Sequence, residues 1–153
     1  MGENLNYLIG SCAGVDLACL VFGAAAWKCA PRDQWIGWSA EQRAARLQFI
    51  ANNSRFLILP WVRVHFLASH LLSQISRRID RDWQKRYGHR LYLLESFVQA
   101  DRFRGTSYQA ANWIHVGQTT GRTRQDRHHR LQSPLKDIYL YPLSGDGRQQ
   151  LAR

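Results

Sequence analysis

The sequence predicts an α/β fold with a mixed sheet, and three observations lead to this class. Short apolar runs of strand length alternate with helical segments along the 153-residue chain. Leu67, Leu71, Ile75 and Ile79 are spaced by four and mark one face of a long helix. Residues 90–98 are almost continuously apolar, as expected of a strand covered on both faces of a sheet. The predicted order of elements is β-β-α-β-α-β-α-β-β.

The first half of the chain is predicted to contain two strands, a loop and a helix. These are strands at 5–11 and 17–27, a Trp-rich loop at 31–38 and a helix from 39 to 53. Ser39 and Gln42 have the spacing of a capping box, which predicts the start of the helix. Asn52 and Asn53 are expected to end it.

The second half contains the predicted core of the sheet. Residues 56–64 form an apolar strand that Pro60 interrupts, so we expect a bulge near 60–63. A helix from about Phe66 to Gly88 connects it to the strand at 90–98. The two strands should be adjacent and parallel and should splay near 60–63 at the bulge, in a sheet that is otherwise mostly antiparallel. The remaining predicted elements are a helix at 107–112 and strands at 114–117 and 137–143. The prediction is one domain over 1–143 and a disordered basic tail over 144–153.

The charge balance favours an anionic partner. Lys and Arg total 21 against 11 Asp and Glu, a net charge of +10, and all but three of the basic residues are Arg. The planar guanidinium group binds phosphate through two hydrogen bonds at once, which a lysine does not. We therefore expect DNA or RNA as the partner.

The cysteines and the apolar segments favour the cytoplasm. Cys12, Cys19 and Cys29 lack the spacing of metal ligands, which predicts reduced, buried thiols and no metal site. The longest apolar run, residues 17–27, is too short to cross a membrane, so no membrane partner is expected.

Several long motifs in one order resemble the DruA family. They are RDQWIGW, NNSRFLILPWVRV, LASHLLS, DWQKRYGHR, FRGTSYQAANWIHVGQTTGRTRQDR and KDIYLYPL, and the similarity runs from about residue 8 to 143. The family is known from the Druantia anti-phage system and also occurs beside transposases. The resemblance implies a role in defence or with a mobile element, with proteins of those systems as further partners. Family members have an additional N-terminal region, so this chain is expected to be a minimal member.

A fold-level resemblance concerns GNAT-type acetyltransferases. The element order from Leu5 is similar to the C-terminal two thirds of that fold, whose N-terminal part would be missing here. In that family a loop and a helix N-terminus hold the pyrophosphate of acetyl-CoA. Arg63 and Ala68 match the cofactor-binding pattern, but Phe66 stands where a glycine is needed. We therefore expect no cofactor, and Phe66 disfavours acetyl-CoA. The resemblance leaves two alternatives to nucleic-acid binding: an acyl-CoA-dependent N-acyltransferase, or a catalytically silent scaffold.

Glu95 and Tyr108 are the candidate catalytic residues of the acyltransferase alternative. Glu95 lies within an apolar strand, where burial would raise its pKa towards that of a general base. The competing interpretation is a structural ion pair, with Arg63 or Arg104 as partner. Tyr108 matches the tyrosine that protonates the thiolate in the similar enzymes. It is also well placed to be a core residue with its hydroxyl at the rim.

The segment 119–130 is the candidate nucleic-acid contact. It carries four arginines and two histidines: Arg122, Arg124, Arg127, His128, His129 and Arg130. Alternating arginines suit phosphate contacts, and Arg104, Asn112 and Trp113 are expected to line an adjacent pocket with Tyr108. The alternative is a solvated basic loop. A second basic group at 77–90 contains Asp80 and Asp82, which favours a salt-bridged solvent face.

Overall fold

A computed structural model describes residues 2–100, 105–120 and 135–153 of the chain. In these residues a six-stranded mixed sheet has helices on both faces, which confirms the predicted fold class. The strands are β1 Leu5–Gly10, β2 Asp16–Ala24, β3 Ile50–Ile58, β4 Leu93–Gln99, β5 Ile114–Gln118 and β6 Lys136–Pro142. The helices are α1 Ala30–Ile36, α2 Ala40–Arg46, α3 Leu67–Tyr87, α4 Thr106–Ala110 and α5 Gly147–Leu151.

The sheet has the strand order β1-β2-β3-β4-β6-β5. β3 and β4 are parallel, as predicted, and every other neighbouring pair is antiparallel. The parallel pairing covers Ile50–Asn53 of β3 and Leu93–Ser96 of β4. Because parallel neighbours need a long connection, the 21-residue helix α3 joins them. Gly88 ends this helix in the left-handed conformation, at a φ of 76°.

Two hydrophobic cores lie on the two faces of the sheet. One face packs against α3 and α4 through residues such as Leu94, Leu72 and Tyr108. The other packs against α1 and α5 through residues such as Leu93 and Leu140. Leu93 and Leu94 belong to different cores because successive side chains of a strand point to opposite faces. This alternation decides on which face each candidate site residue lies.

The boundaries around β3 differ from the prediction. Residues 30–36 form helix α1, where Pro31 occupies a first-turn position that suits proline. The helix capped by Ser39 and Gln42 ends at Arg46, and β3 begins at Ile50 after one 3-10 turn. β3 then ends at Ile58, since Pro60 has no amide hydrogen to donate. The sheet therefore splays after Asn53, where the parallel pairing stops, and not near residues 60–63.

The predicted disordered tail is wrong for residues 147–151, which form α5. Leu151 is completely buried in the core beside α1 and α2, so this stretch is part of the domain. Gln42 Nε2 also donates to the carbonyls of Ala152 and Arg153, at 2.8 and 3.2 Å. The thiols differ from expectation as well: Cys29 is buried, but Cys12 is exposed and Cys19 only partly covered. No helix in the described ranges has the length and apolarity needed to cross a membrane.

Candidate functional site

The splay of β3 and β4 opens a cleft between the two strands. Beyond Asn53 and Ser96, β3 pairs only with β2 and β4 pairs only with β6. The resulting cavity has a volume of about 650 Å³. Its walls include Arg55, Phe56, Ile58, Val98, Gln99 and Lys136. It is a mainly apolar slot that has two cations among its lining residues.

A buried hydrogen-bond cluster forms the floor of the cleft. The Tyr108 hydroxyl donates to Asn53 Oδ1 at 2.7 Å, and Ser96 Oγ lies 3.2 Å from the same hydroxyl. The Asn53 amide nitrogen donates to the carbonyls of Val21 and Arg55, at 3.1 and 2.9 Å. The Asn53 side chain thus positions Tyr108. It also hydrogen-bonds the two carbonyls at the register shift between β2 and β3. All donors and acceptors named here have partners, so the cluster is rigid.

Tyr108 keeps its proton in this environment. Burial raises the pKa of the Tyr108 phenol above its ordinary value, and the hydrogen bond with Ser96 acts in the opposite direction. Its ring stacks on Tyr139 and makes an edge contact with Trp113. Tyr108 is therefore a protonated core residue whose hydrogen is directed at Asn53.

Glu95 forms a buried ion pair with Arg32 of α1. The Arg32 guanidinium lies 2.7 Å from the Glu95 carboxylate, and both side chains are fully buried. Asn52 Nδ2 and the amide of Ala26 complete the contacts of this carboxylate. Burial raises the pKa of Glu95, while the charge and hydrogen bond of Arg32 act to lower it. Of the alternatives for Glu95, the structure has an ion pair, with Arg32 in place of the expected Arg63 or Arg104.

Glu95 and Tyr108 do not share a site. Ser96, the neighbour of Glu95 on β4, faces Tyr108 on the side of the sheet that carries α3 and α4. Glu95 points to the other side, towards Arg32 on α1. An acid and a base that act on one substrate must both reach it, and here the sheet lies between them.

The loop that precedes α3 differs from a pyrophosphate-binding loop. Phe66 adopts the left-handed conformation, with a φ of 58°, immediately before the helix, and its side chain is 74% exposed. This is a conformation that favours glycine, yet an aromatic ring stands beside the helix N-terminus. Arg63 donates to the carbonyls of Pro60 and Val62 in its own loop, at 2.6 and 3.1 Å. Ala68, in the first turn of α3, lines the cleft.

The expected pocket beside the Arg-rich segment is only partly described. Trp113 is 4% exposed, and its ring packs against Tyr108 and Tyr141, so it offers no free face to a base. Asn112 is exposed, with a φ of 68°. Arg104 and the predicted phosphate contacts lie outside the described residues, as do the neighbouring histidines. These are Arg122, Arg124, Arg127, His128, His129 and Arg130.

Two hydrogen bonds join Thr119 to Lys136, which lie on either side of residues 121–134. The Thr119 amide donates to the Lys136 carbonyl at 2.9 Å, and the Lys136 amide donates to Thr119 Oγ1 at 3.0 Å. The amide of Ala100, just after β4, donates to the Leu135 carbonyl. Lys136 and Gln99 also line the cleft, so these residues lie at the same end of the sheet as the cleft.

Sequence reasoning misses Arg32, Asn53 and Ser96. Arg32 lies in a stretch predicted to be a loop, and nothing local pairs it with Glu95, which is 63 residues away. In the sequence alone, Asn53 indicates a helix stop. The apolar runs on both sides of it, Ile50–Ala51 and Phe56–Ile58, are the available sign of a strand. In the described residues, no three or more His, Cys, Asp or Glu side chains cluster as metal ligands would.

Comparison with known proteins identifies the family. The family model described as Druantia protein DruA matches residues 1–136. The chain belongs to the DruA family. No curated protein matches this DruA member.

Two solved structures similar to this DruA protein are acetyltransferases. A point mutant of spermidine N-acetyltransferase SpeG from Vibrio cholerae has a TM-score of 0.55 at 8% identity. The comparison covers 92% of this chain and 66% of that one. The spermidine/spermine N-acetyltransferase SpeG of the same organism, solved in complex with manganese ions, gives the same values. At this identity the likeness shows the fold alone: the DruA chain has the GNAT fold and spans just under two thirds of the length of these enzymes.

Proposed function

We propose that this DruA-family protein serves anti-phage defence, or a mobile element, in the cytoplasm and contacts nucleic acid there. Its principal contact is the Arg-rich segment 119–130. The observation that carries this proposal is the position of the described residues that flank 121–134. Thr119, the first residue of the segment, is hydrogen-bonded to Lys136, and Lys136 lines the cleft together with Arg55. The chain on either side of the four arginines is thus next to two described cations, Arg55 and Lys136.

Charge supports the same conclusion. The chain carries +10, and the segment 119–130 has four arginines against the single carboxylate of Asp126. Phosphate contacts of this kind supply affinity without sequence preference. Other components of the defence system or a transposase would then direct the protein to its target.

The experiment is a gel shift at several salt concentrations with duplex DNA and RNA. If each of the four arginines neutralises one phosphate, the segment alone contributes a slope of about −3 to −4 to log affinity against log salt. Replacing Arg122, Arg124, Arg127 and Arg130 by Ala should flatten the slope by that amount. All probe sequences should be weakened alike.

A matched control removes four cations that lie in or next to α1, α2 and α5. These are Lys28, Arg46, Arg148 and Arg153, replaced by Gln. The control protein has the same net charge as the Arg-segment variant and should keep the wild-type slope. Equal slopes for wild type and the Arg-segment variant would reduce the segment to a solvated surface.

A second candidate function is that of an acyl-CoA-dependent N-acyltransferase. The cleft of about 650 Å³ at the parallel pair favours it, since the structure has the GNAT fold. Against it stand the ring of Phe66 and the separation of Glu95 from Tyr108 by the sheet. Calorimetry with acetyl-CoA tests this alternative. A micromolar dissociation constant, about −8 kcal/mol, would place it ahead of nucleic-acid binding.

A further inference from the structure

The exposed face of α3 carries a row of three cations. Arg77, Arg81 and Lys85 follow each other at intervals of four residues, and each is exposed. Residues four apart lie on the same face of a helix, and the helical rise places them about 6 Å apart along the axis. The row therefore extends over about 12 Å of the helix surface.

The two carboxylates of this stretch are directed elsewhere. Asp82 accepts a hydrogen bond of 2.6 Å from Tyr7 on β1 and one of 2.9 Å from Arg78. Asp80 accepts from the amide of Leu91 at 2.9 Å and pairs with Arg90 at 3.6 Å. Both acids thus serve contacts that dock α3 onto the sheet. The expectation of a salt-bridged solvent face holds for Arg78 and Arg90.

No salt bridge neutralises the row within the described part of the chain. There, Arg77, Arg81 and Lys85 have no carboxylate within 4 Å. Residues 77–90 contain six Lys and Arg against two Asp, a net charge of +4. Like charges held close together on one rigid face repel each other, and a bound polyanion removes that repulsion.

We propose that this face of α3 binds the phosphate backbone of a nucleic-acid duplex. The proposal rests on the proposed function in that the protein binds nucleic acid, but it assigns a surface separate from the segment 119–130. Each strand of a duplex carries one charge per 3.4 Å of its axis, so 12 Å of helix spans about three to four phosphates of one strand. Arg77, Arg81 and Lys85 supply one cation for each of three phosphates. Such contacts position the duplex and do not select its sequence.

The test compares salt dependence for R77Q/R81Q/K85Q and wild type. The probes are duplexes of about 20 base pairs, one of DNA and one of RNA, which identify the source of the phosphates. Loss of three phosphate contacts should flatten the slope of log affinity against log salt by about 2 to 3. Equivalently, the ratio of affinities at about 50 and 200 mM salt should fall by roughly forty-fold. Glutamine favours the helix about as well as the residues it replaces, so α3 should stay folded.

The matched control is K28Q/R148Q/R153Q, which removes the same charge from the side of the sheet that carries α1 and α5. It should keep the wild-type slope. If the α3 variant also keeps the wild-type slope while the slope of the Arg-segment variant becomes flatter, the proposed function stands and this inference fails. A flatter slope in the α3 variant alone supports binding at the α3 face and contradicts the segment 119–130 as the principal contact. If wild type binds neither duplex, both proposals fail.

Discussion

Arg32 and Glu95 form a fully buried ion pair, 2.7 Å between guanidinium nitrogen and carboxylate oxygen, that ties helix α1 to the parallel pair of strands. The charge of each partner is the largest electrostatic influence on the other. The Arg32 guanidinium also lies 3.0 Å from Asp33 and donates to the carbonyl of Ala26. The pair fixes α1 over the sheet at the point where β3 and β4 still run together.

Breaking this pair should destabilise the domain strongly. Glu95→Gln leaves Arg32 buried without its closest counter-charge, and we expect a loss of about 3 to 5 kcal/mol in the free energy of unfolding. Urea titration measures it. The control, Glu41→Gln on exposed α2, should change stability by less than about 0.5 kcal/mol. Replacing both partners, Arg32→Met with Glu95→Leu, should cost less than Glu95→Gln alone. A single variant as stable as wild type would contradict a structural role for the pair.

Removal of the Tyr108 hydroxyl should also be costly. Tyr108→Phe leaves Asn53 Oδ1 buried without its donor, for which we expect a loss of about 1 to 3 kcal/mol. Tyr141→Phe is the control, because Tyr141 is only partly buried, whereas Tyr108 is buried. The two variants are compared by urea unfolding. Equal losses would mean that the cluster at the floor of the cleft contributes nothing specific.

Phe66 should be replaceable by glycine with a gain in stability. An L residue in the left-handed conformation costs about 1 to 2 kcal/mol relative to glycine, and little packing is lost from a side chain that is 74% exposed. Phe66→Gly should therefore be more stable than Phe66→Ala, which keeps a Cβ atom and its strain. Calorimetry on both variants then shows whether opening the helix N-terminus improves binding of acetyl-CoA. Equal stability of the two variants would rule out strain at this position.

Acid should weaken the contact between α3 and β1. Partial burial raises the pKa of Asp82, but hydrogen bonds from Arg78 and Tyr7 lower it by more, so the pKa lies below its ordinary value. The folded state therefore binds this proton less tightly than the unfolded chain. Its contribution to stability is present above pH of about 4 and is lost as the pH falls through the lower, folded pKa. Urea unfolding at neutral and acidic pH should show the difference between wild type and Asp82→Asn shrinking in acid. A difference that stays constant with pH would contradict this assignment.

The C-terminal helix should contribute to the core. Leu151→Ala removes a completely buried side chain, and we expect a loss of about 2 to 5 kcal/mol in the free energy of unfolding. Gln149→Ala, at an exposed position of the same helix, is the control and should be close to neutral. Thermal or urea unfolding of both variants decides between a packed helix and a disordered tail.

The sequence predicts those parts of the fold in which the hydrophobic periodicity agrees with the residues that start or end an element. The spacing by four from Leu67 and the glycine at Gly88 predict α3, and the apolar run at 90–98 predicts a central strand beside a parallel neighbour. The boundary at Ile50 cannot be found in the same way. A capping box starts a helix, but pairing with β2 and β4, far away in the chain, draws the residues from Ile50 onwards into the sheet.

The candidate site shows the same limit. Glu95 stands out as a lone carboxylate in an apolar strand, and its burial is predictable. Its partner is not, because Arg32 is one of 18 arginines and the pairing is decided by the packing of α1 on the sheet. The separation of Glu95 from Tyr108 follows from strand alternation, once Ser96 is known to face Tyr108.

The splay of β3 and β4 divides the sheet into two leaves, each contiguous in the chain. β1 to β3 make one antiparallel leaf and β4 to β6 the other, and they meet along a seam of four residue pairs, Ile50–Asn53 with Leu93–Ser96. The seam is shorter than the pairing of β2 with β3 or of β4 with β6, each of which has seven residue pairs, so the two leaves separate most easily there. In native-state hydrogen exchange we expect two cooperative units. The protein would then behave as a hinged pair of sheets that α3 and the ion pair of Glu95 keep closed.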